Sequence, residues 1–382
     1  MPATHAVAGT TVGGSDLLAM NLLAVGTREN RTGRIQVLDS RGDVRFDMKA
    51  SGTVHCLALQ PGGDGVASGL GCNWWMKESG ESGGYERVHK GHSGAVRCIA
   101  HSPCGRKVAT GGEDNCAKVW DAASGAETAQ LMGHTAPVQA VAFSAAGTVA
   151  TGSLDTSIRV FDCESGEPLS VIFNAHANSL TGVGGVFSLC MSPDGRSIVS
   201  GGYDHFIRVW DTATGAQVRA LGGHSDLVCS VALSPDSRLI ASGSFDLSVR
   251  LWDAETGAAR LAFRGHDSCF GCDCERYAPA NPRCGLPGHR DYVMSVAFSA
   301  DGAALVSGSY DGLCKVWDLR AGALHASRAM GHPVFAVALA PDVARRRRLE
   351  AFAMGQHARL GAASPVQLLT DDILCILLDW AC

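Results

Sequence analysis

The sequence predicts an all-β fold, an array of short repeats closed into one ring, and three observations predict it. One line of residue types recurs at least five times: a Gly-His turn, an alternating apolar run, a Ser-Pro-Asp-Gly-like turn, an Ala/Val-Ser/Thr-Gly run, an Asp, and then Trp-Asp. Composition agrees, because 46% hydrophobic and 18% charged residues with 47 Gly against 13 Pro suit many short strands joined by tight turns. Finally, the first repeat lacks a strand that the last repeat holds in excess. At 382 residues the chain has the length of two average domains, but one ring of repeats accounts for that length equally well.

The regular repeats run from His92 to Trp120, His134 to Phe161, His176 to Trp210, His224 to Trp252 and His289 to Trp317, about 28 residues apart where no loop intrudes. In the repeat ending at Trp252, residues 228–233 (Val-Cys-Ser-Val-Ala-Leu) alternate as an inner strand. Pro235-Asp236 turns the chain, residues 239–242 return it, and residues 248–252 run outward.

These residues resemble the WD-repeat family, in which each repeat of about 40–45 residues supplies a four-stranded sheet and the sheets pack radially as a β-propeller. The resemblance covers nearly all of residues 20–340. It implies a hydrogen-bonded tetrad of His, Ser/Thr, Asp and Trp in each regular blade, since a buried indole N–H and hydroxyl each need a partner. The implied sets are His92/Thr110/Asp114/Trp120, His134/Thr151/Asp155/Phe161, His176/Ser200/Asp204/Trp210, His224/Ser242/Asp246/Trp252 and His289/Ser307/Asp311/Trp317. Phe161 has no indole donor, so its blade loses one bond. The same residue types make hydrolytic triads, but a nucleophilic site is one constellation with an oxyanion-stabilising partner, and a trio repeated in every regular blade reads as structure.

Two weaker blades precede the regular five. Residues 54–59, 66–69 and the Trp74-Trp75 run read as the first three strands of one, whose Asp turn is missing. Residues 22–26, 34–38 and 44–46 read as the second, third and fourth strands of another. At the far end, residues 334–339 form an inner strand with no continuation. The expectation is that this strand completes the N-terminal blade and closes a seven-bladed ring with no exposed sheet edge. The competing arrangement takes the inner strand from residues 5–9 and leaves 334–339 over.

Two segments depart from the repeat. Residues 267–287 form an insertion carrying Cys269, Cys272, Cys274 and Cys284, flanked by His266 and His289. Four thiols suffice for tetrahedral zinc, although Cys274 lies too near Cys272 for a regular paired ribbon; an unliganded surface loop and a redox pair are the other readings. Residues 343–382 begin with Arg345–Arg348, a basic linker. Thr370 before Asp371-Asp372 then starts a short C-terminal α-helix, with Leu369, Ile373, Ile376, Leu377 and Trp380 at helical spacing. The start of this amphipathic segment resembles the opening helix of an F-box, with Thr370 in place of the usual Pro. The two domains expected are thus the propeller over 1–342 and the linker with helix over 343–382.

The residue before each tetrad Asp should face one rim of the ring. The series is Glu113, Leu154, Tyr203, Phe245 and Tyr310, and large aromatic groups of this kind are enriched at interaction hot spots. Residues 242–252 and 307–317 are similar to successive blades of the WD-repeat adaptors in histone lysine methyltransferase complexes. There, two Phe side chains sandwich an Arg of a bound peptide; here Phe335 keeps one of those positions and Cys229 replaces the other, which removes half of a cation–π clamp. The likeness therefore implies architecture and general role.

A net charge of -5 gives no general basic field, so direct nucleic-acid binding is not expected. No run reaches the roughly 20 apolar residues of a membrane-spanning helix, and no Lys or Arg precedes Arg28, so neither a secretory nor a transit signal is expected. The odd count of 15 Cys, most of them single in strand-like runs, speaks for an intracellular site, cytoplasmic or nuclear. With no phosphate loop or cofactor motif, the expected function is a non-catalytic scaffold, a monomeric propeller binding proteins or peptides in a larger complex. The alternative is a ubiquitin-ligase substrate receptor, its propeller gripping targets and its C-terminal helix recruiting the adaptor.

Overall fold

A computed structural model describes residues 22–29, 32–39, 43–50, 54–61, 65–78, 86–177, 184–264 and 288–340. These residues form seven four-stranded sheets. Each sheet is a blade, numbered here in chain order: blade 1 from 22–50, blade 2 from 54–90, blade 3 from 96–131, blade 4 from 138–172, blade 5 from 186–221, blade 6 from 228–263 and blade 7 from 293–329. Every pairing within a blade is antiparallel, as hairpin-linked strands require.

Blade 1 takes its innermost strand from the far end of the chain. Val334–Ala340 pairs antiparallel with Leu22–Glu29, placing Leu23 opposite Leu339 and Val25 opposite Val337. The competing arrangement from residues 5–9 is thereby displaced, because this edge is already occupied. Innermost strands pack on one another in sequence around the molecule, and Val334–Ala340 packs on Val54–Leu59, so the circle is complete. Blade 2, whose fourth strand the sequence did not reveal, finds it in Glu86–Lys90. The C-terminal α-helix and the basic linker lie outside the described residues.

The core sits between blades. A cluster shared by blades 3 and 4 joins Ala109, Val119 and Leu131 to Val138, Val149 and Phe161, and one shared by blades 6 and 7 joins Val249, Leu251 and Phe263 to Val293, Leu305 and Trp317. Phe263 stacks on Trp317 with centroids 4.3 Å apart, so an outer strand of one blade seals the indole of the next. Alternation explains the pattern: Val249 and Leu251 point into this layer and Arg250 away from it.

Hydroxyls also join the blades near the axis. Ser188 accepts the Val231 amide at 3.0 Å, Ser230 that of Val296 at 3.0 Å and Ser295 that of Val337 at 3.2 Å, linking blades 5, 6, 7 and 1 in succession. The matching residues elsewhere are Cys56, Cys98, Ala140 and Ala336, and of these only the Cys98 thiol reaches across, 3.7 Å from the Val138 carbonyl.

Candidate functional site: the tetrad rim and channel mouth

The five tetrads are cross-strand constructions. In blade 3, His92 Nδ1 lies 2.9 Å from the Asp114 carboxylate, His92 Nε2 lies 2.8 Å from Thr110 Oγ1, and Trp120 Nε1 donates to that hydroxyl at 2.8 Å. Blade 5 repeats it with His176–Asp204 at 2.7 Å, His176–Ser200 at 2.7 Å and Trp210–Ser200 at 2.8 Å. In blade 6 the corresponding contacts are His224–Asp246 at 2.8 Å, His224–Ser242 at 2.7 Å and Trp252–Ser242 at 2.9 Å. In blade 7 they are His289–Asp311 at 3.0 Å, His289–Ser307 at 2.7 Å and Trp317–Ser307 at 2.8 Å. Blade 4 keeps His134–Asp155 at 2.9 Å and His134–Thr151 at 2.8 Å, but Phe161 brings no donor.

In the four blades that keep the Trp, one proton arrangement meets every donor and acceptor. An indole N–H only donates, so the hydroxyl accepts it and gives its own proton to Nε2, leaving Nδ1–H for the carboxylate. Burial lowers the pKa of His224 and His289 even though Asp246 and Asp311 pull the other way. Burial pushes the tetrad carboxyls up, but the His bond and turn N–H bonds prevail and hold Asp114, Asp155, Asp204, Asp246 and Asp311 below the usual range. The five hydroxyl residues are 0% exposed, which removes them as nucleophiles for any outside substrate.

The tetrad turns aim the rim. The residue after the Asp takes a left-handed conformation in each regular blade: Asn115, Thr156, His205, Leu247 and Gly312. That bend returns the chain into the third strand and leaves the preceding residue on the surface. The second residue of every innermost strand is the extra residue of a β-bulge, where the register skips, and bulges re-aim side chains. These seven are His55, Arg97, Gln139, Phe187, Cys229, Met294 and Phe335.

Contacts show that the two series share one end of the ring. Arg97 reaches across to Glu113 with Nε at 2.9 Å, and its Nη1 lies 3.3 Å from His55 Nδ1. The Arg97 guanidinium holds the Glu113 carboxyl below its ordinary pKa. Phe187 meets Tyr203 edge-on at 5.0 Å. Tyr292 lies flat on Phe245 at 4.2 Å, meets Tyr310 at 6.5 Å, and Tyr310 meets Phe335 at 5.7 Å. Blades 2 and 3 thus present an ion-paired sector, and blades 5, 6, 7 and 1 an aromatic one.

Of the rim residues expected from sequence, Phe245, Tyr310 and Phe335 fall in one connected arc, while Tyr203 pairs separately with Phe187. Tyr292 and Tyr310 are 42% and 43% exposed, so the arc is packed internally and still open to a partner. Sequence reading missed Tyr292 and Phe187; lining up the residue after each bulge valine would have found Phe187. Cys229 turns its thiol to the Val293 carbonyl at 2.7 Å, and burial raises its pKa strongly, so the position opposite Phe335 is committed to backbone. Cys269, Cys272, Cys274 and Cys284 lie outside the described residues, and no group of three or more potential metal ligands occurs among the described ones. No described helix is long and apolar enough to cross a membrane.

Radial four-stranded sheets bound by repeated tetrads define a β-propeller of the repeat type. The model of the WD domain, G-beta repeat matches residues 83–121, 125–162, 166–211, 215–253 and 280–318, and the chain belongs to the WD-repeat family. It is 30% identical over 145 residues to the target of rapamycin complex subunit LST8 of Saccharomyces cerevisiae, covering 38% of this chain and 41% of that protein. It is 26% identical over 86 residues to autophagy-related protein 16 of Arabidopsis thaliana, covering 22% of this chain and 16% of that one. The chain therefore spans less than half of either relative. A WD-repeat propeller fits a protein-interaction scaffold, and such propellers are generally non-catalytic.

Proposed function

We propose that this chain is a non-catalytic scaffold that holds proteins together in a multiprotein complex, with the aromatic arc of Phe245, Tyr292, Tyr310 and Phe335 as its main docking surface. The observation that carries this reading is the arc itself: four rings in edge or face contact, drawn from three blades, two of them more than two-fifths exposed. Rigid aromatic groups beside a polar sector combine apolar contact with orientation, the pattern of interface hot spots. The similarity to a subunit of a target of rapamycin complex supports a role inside an assembly. Nine free cysteines among the described residues suit an intracellular site.

Affinity purification of the full chain from its native cells, beside a Tyr292→Ala/Tyr310→Ala variant of unchanged melting temperature, tests the reading. Partner proteins recovered with the wild type should be depleted at least tenfold with the variant. Equal recovery from both would remove the arc as the docking surface.

A further inference from the structure

The cations beside the tetrads are not equally engaged. Each sits opposite the tetrad hydroxyl: Lys118 by Thr110, Arg159 by Thr151, Arg208 by Ser200, Arg250 by Ser242 and Lys315 by Ser307. Lys118 pairs with Glu127 at 2.7 Å, and Lys315 donates to the Gly288 carbonyl at 2.6 Å. Arg208 grips Asp204 through Nε at 3.1 Å and Nη2 at 2.6 Å, and Gln217 through Nη1 at 2.6 Å.

Arg250, like Arg159 in blade 4 whose buried Nε has no hydrogen-bond partner among the described residues, is less engaged than these three. It is 9% exposed, its Nε meets only the Ser248 hydroxyl at 3.3 Å, and its Nη2 stops 3.9 Å from Asp246. Asp246 is already occupied, accepting from His224 at 2.8 Å, the Ser225 amide at 3.2 Å, the Ser248 amide at 3.0 Å and the Ser248 hydroxyl at 2.6 Å.

A second cation faces it. Arg250 pairs with Ala262 and Val249 with Phe263, so one further step along the ladder brings Arg264 opposite Ser248, on the same sheet face as Arg250 and diagonal to it at about 7 Å. The same step in blade 3 brings Met132 opposite Cys116, and their sulfurs lie 3.5 Å apart. In blade 5 it brings Gly222 against the Phe206 ring. Arg264 is exposed and makes no ion pair or hydrogen bond among the described residues. Burial lowers the Arg250 pKa, Asp246 opposes this, and the Arg264 charge lowers it again. At the matching diagonal in blade 4, Arg159 has the apolar Phe173 instead.

We infer that Arg250 and Arg264 form a site for a doubly charged oxyanion, a phosphomonoester carried by a protein partner seated on the neighbouring arc. Two guanidinium groups present a fork of donors matched to phosphate oxygens, and a dianion balances a charge pair whose only carboxylate is saturated. Phe245 adjoins Asp246 in sequence, so a segment lying on the arc brings its phosphate within reach. The inference rests on the docking role proposed above.

Titration calorimetry of the full chain with inorganic phosphate, and separately with acetate, reads the site directly. Saturable phosphate binding in the millimolar range is expected, weakened about tenfold or more by Arg264→Gln and by Arg250→Gln. Arg264 is exposed, so its variant folds even where the Arg250 variant does not, and Arg196→Gln in the turn at the other end of the ring is the control. Phosphate binding untouched by Arg264→Gln, absent from the wild type, or matched by acetate would overturn the inference. Should that occur while partner recovery still depends on Tyr292 and Tyr310, the docking surface stands and only the anion site falls.

Discussion

Ser307 and Trp317, ten residues apart on paired strands, are locked by an indole-to-hydroxyl bond of 2.8 Å, and the same hydroxyl lies 2.7 Å from His289. One buried oxygen therefore satisfies a donor and an acceptor at once. In blade 4 the corresponding Thr151 serves His134 but has only Phe161 where the indole would be.

This contrast gives unequal mutational costs. Ser307→Ala strands both the Trp317 N–H and His289 Nε2 in the interior, which should cost about 2–4 kcal/mol. Thr151→Val strands only one ring nitrogen and should cost about 1–2 kcal/mol. Urea unfolding of the two variants measures the difference, and equal losses would contradict the tetrad bookkeeping.

The left-handed turn residues predict a stabilising change. Thr156 holds φ 71° although it is β-branched, while Asn115 fills the same place in blade 3 at φ 64°. Thr156→Asn should raise stability by about 0.5–1 kcal/mol, seen as a small rise in melting temperature.

His101 predicts a pH dependence. It ends the innermost strand of blade 3 where Phe143 and Phe298 stand in blades 4 and 7, and neither ring nitrogen has a hydrogen-bond partner among the described residues. Burial pushes its pKa down to about 4. As pH falls from about 6.5 toward 4, the unfolded chain takes up a proton that the folded chain refuses, so stability declines across that window, by up to about 3 kcal/mol. His224 and His289, whose pKa values are also lowered, add in the same direction. His101→Phe should flatten the profile between pH 7 and 4; an unchanged slope would show that this ring is not the source.

Ring closure is testable through Val337, which is 6% exposed and faces Val25 across the seam between the last strand and the first. Val337→Asp puts an unpaired carboxylate in that layer and should abolish the cooperative thermal transition, whereas Val44→Asp, at a position 44% exposed in the same blade, should leave it intact.

Much of this architecture was legible because the information is local and repeated. His289, Ser307, Asp311 and Trp317 lie within one hairpin-linked unit, so their spacing alone suggests the bond network. The closing strand was legible for a complementary reason: residues 334–339 had an inner-strand pattern and nothing after it to pair with. The rim was harder, because Tyr292 reaches Phe245 only through the packing of two blades, and its counterpart Leu227 in blade 6 is a buried turn residue. Repeat logic therefore assigned Tyr292 no surface role. The indole N–H groups of Trp74 and Trp75, which have no hydrogen-bond partner among the described residues, were equally hidden, since their blade lacks the Asp turn that sets the register elsewhere.

The chain of hydroxyl-to-amide links through Ser188, Ser230 and Ser295 joins the same four blades that carry the aromatic sector, three of which supply the arc. A visitor arriving there meets a platform whose motion was lost when the polypeptide first folded, so little extra ordering remains to be charged against association. If the arc is the docking surface proposed above, affinity at this mouth would then be governed by shape, and by how fast a fitted guest can leave.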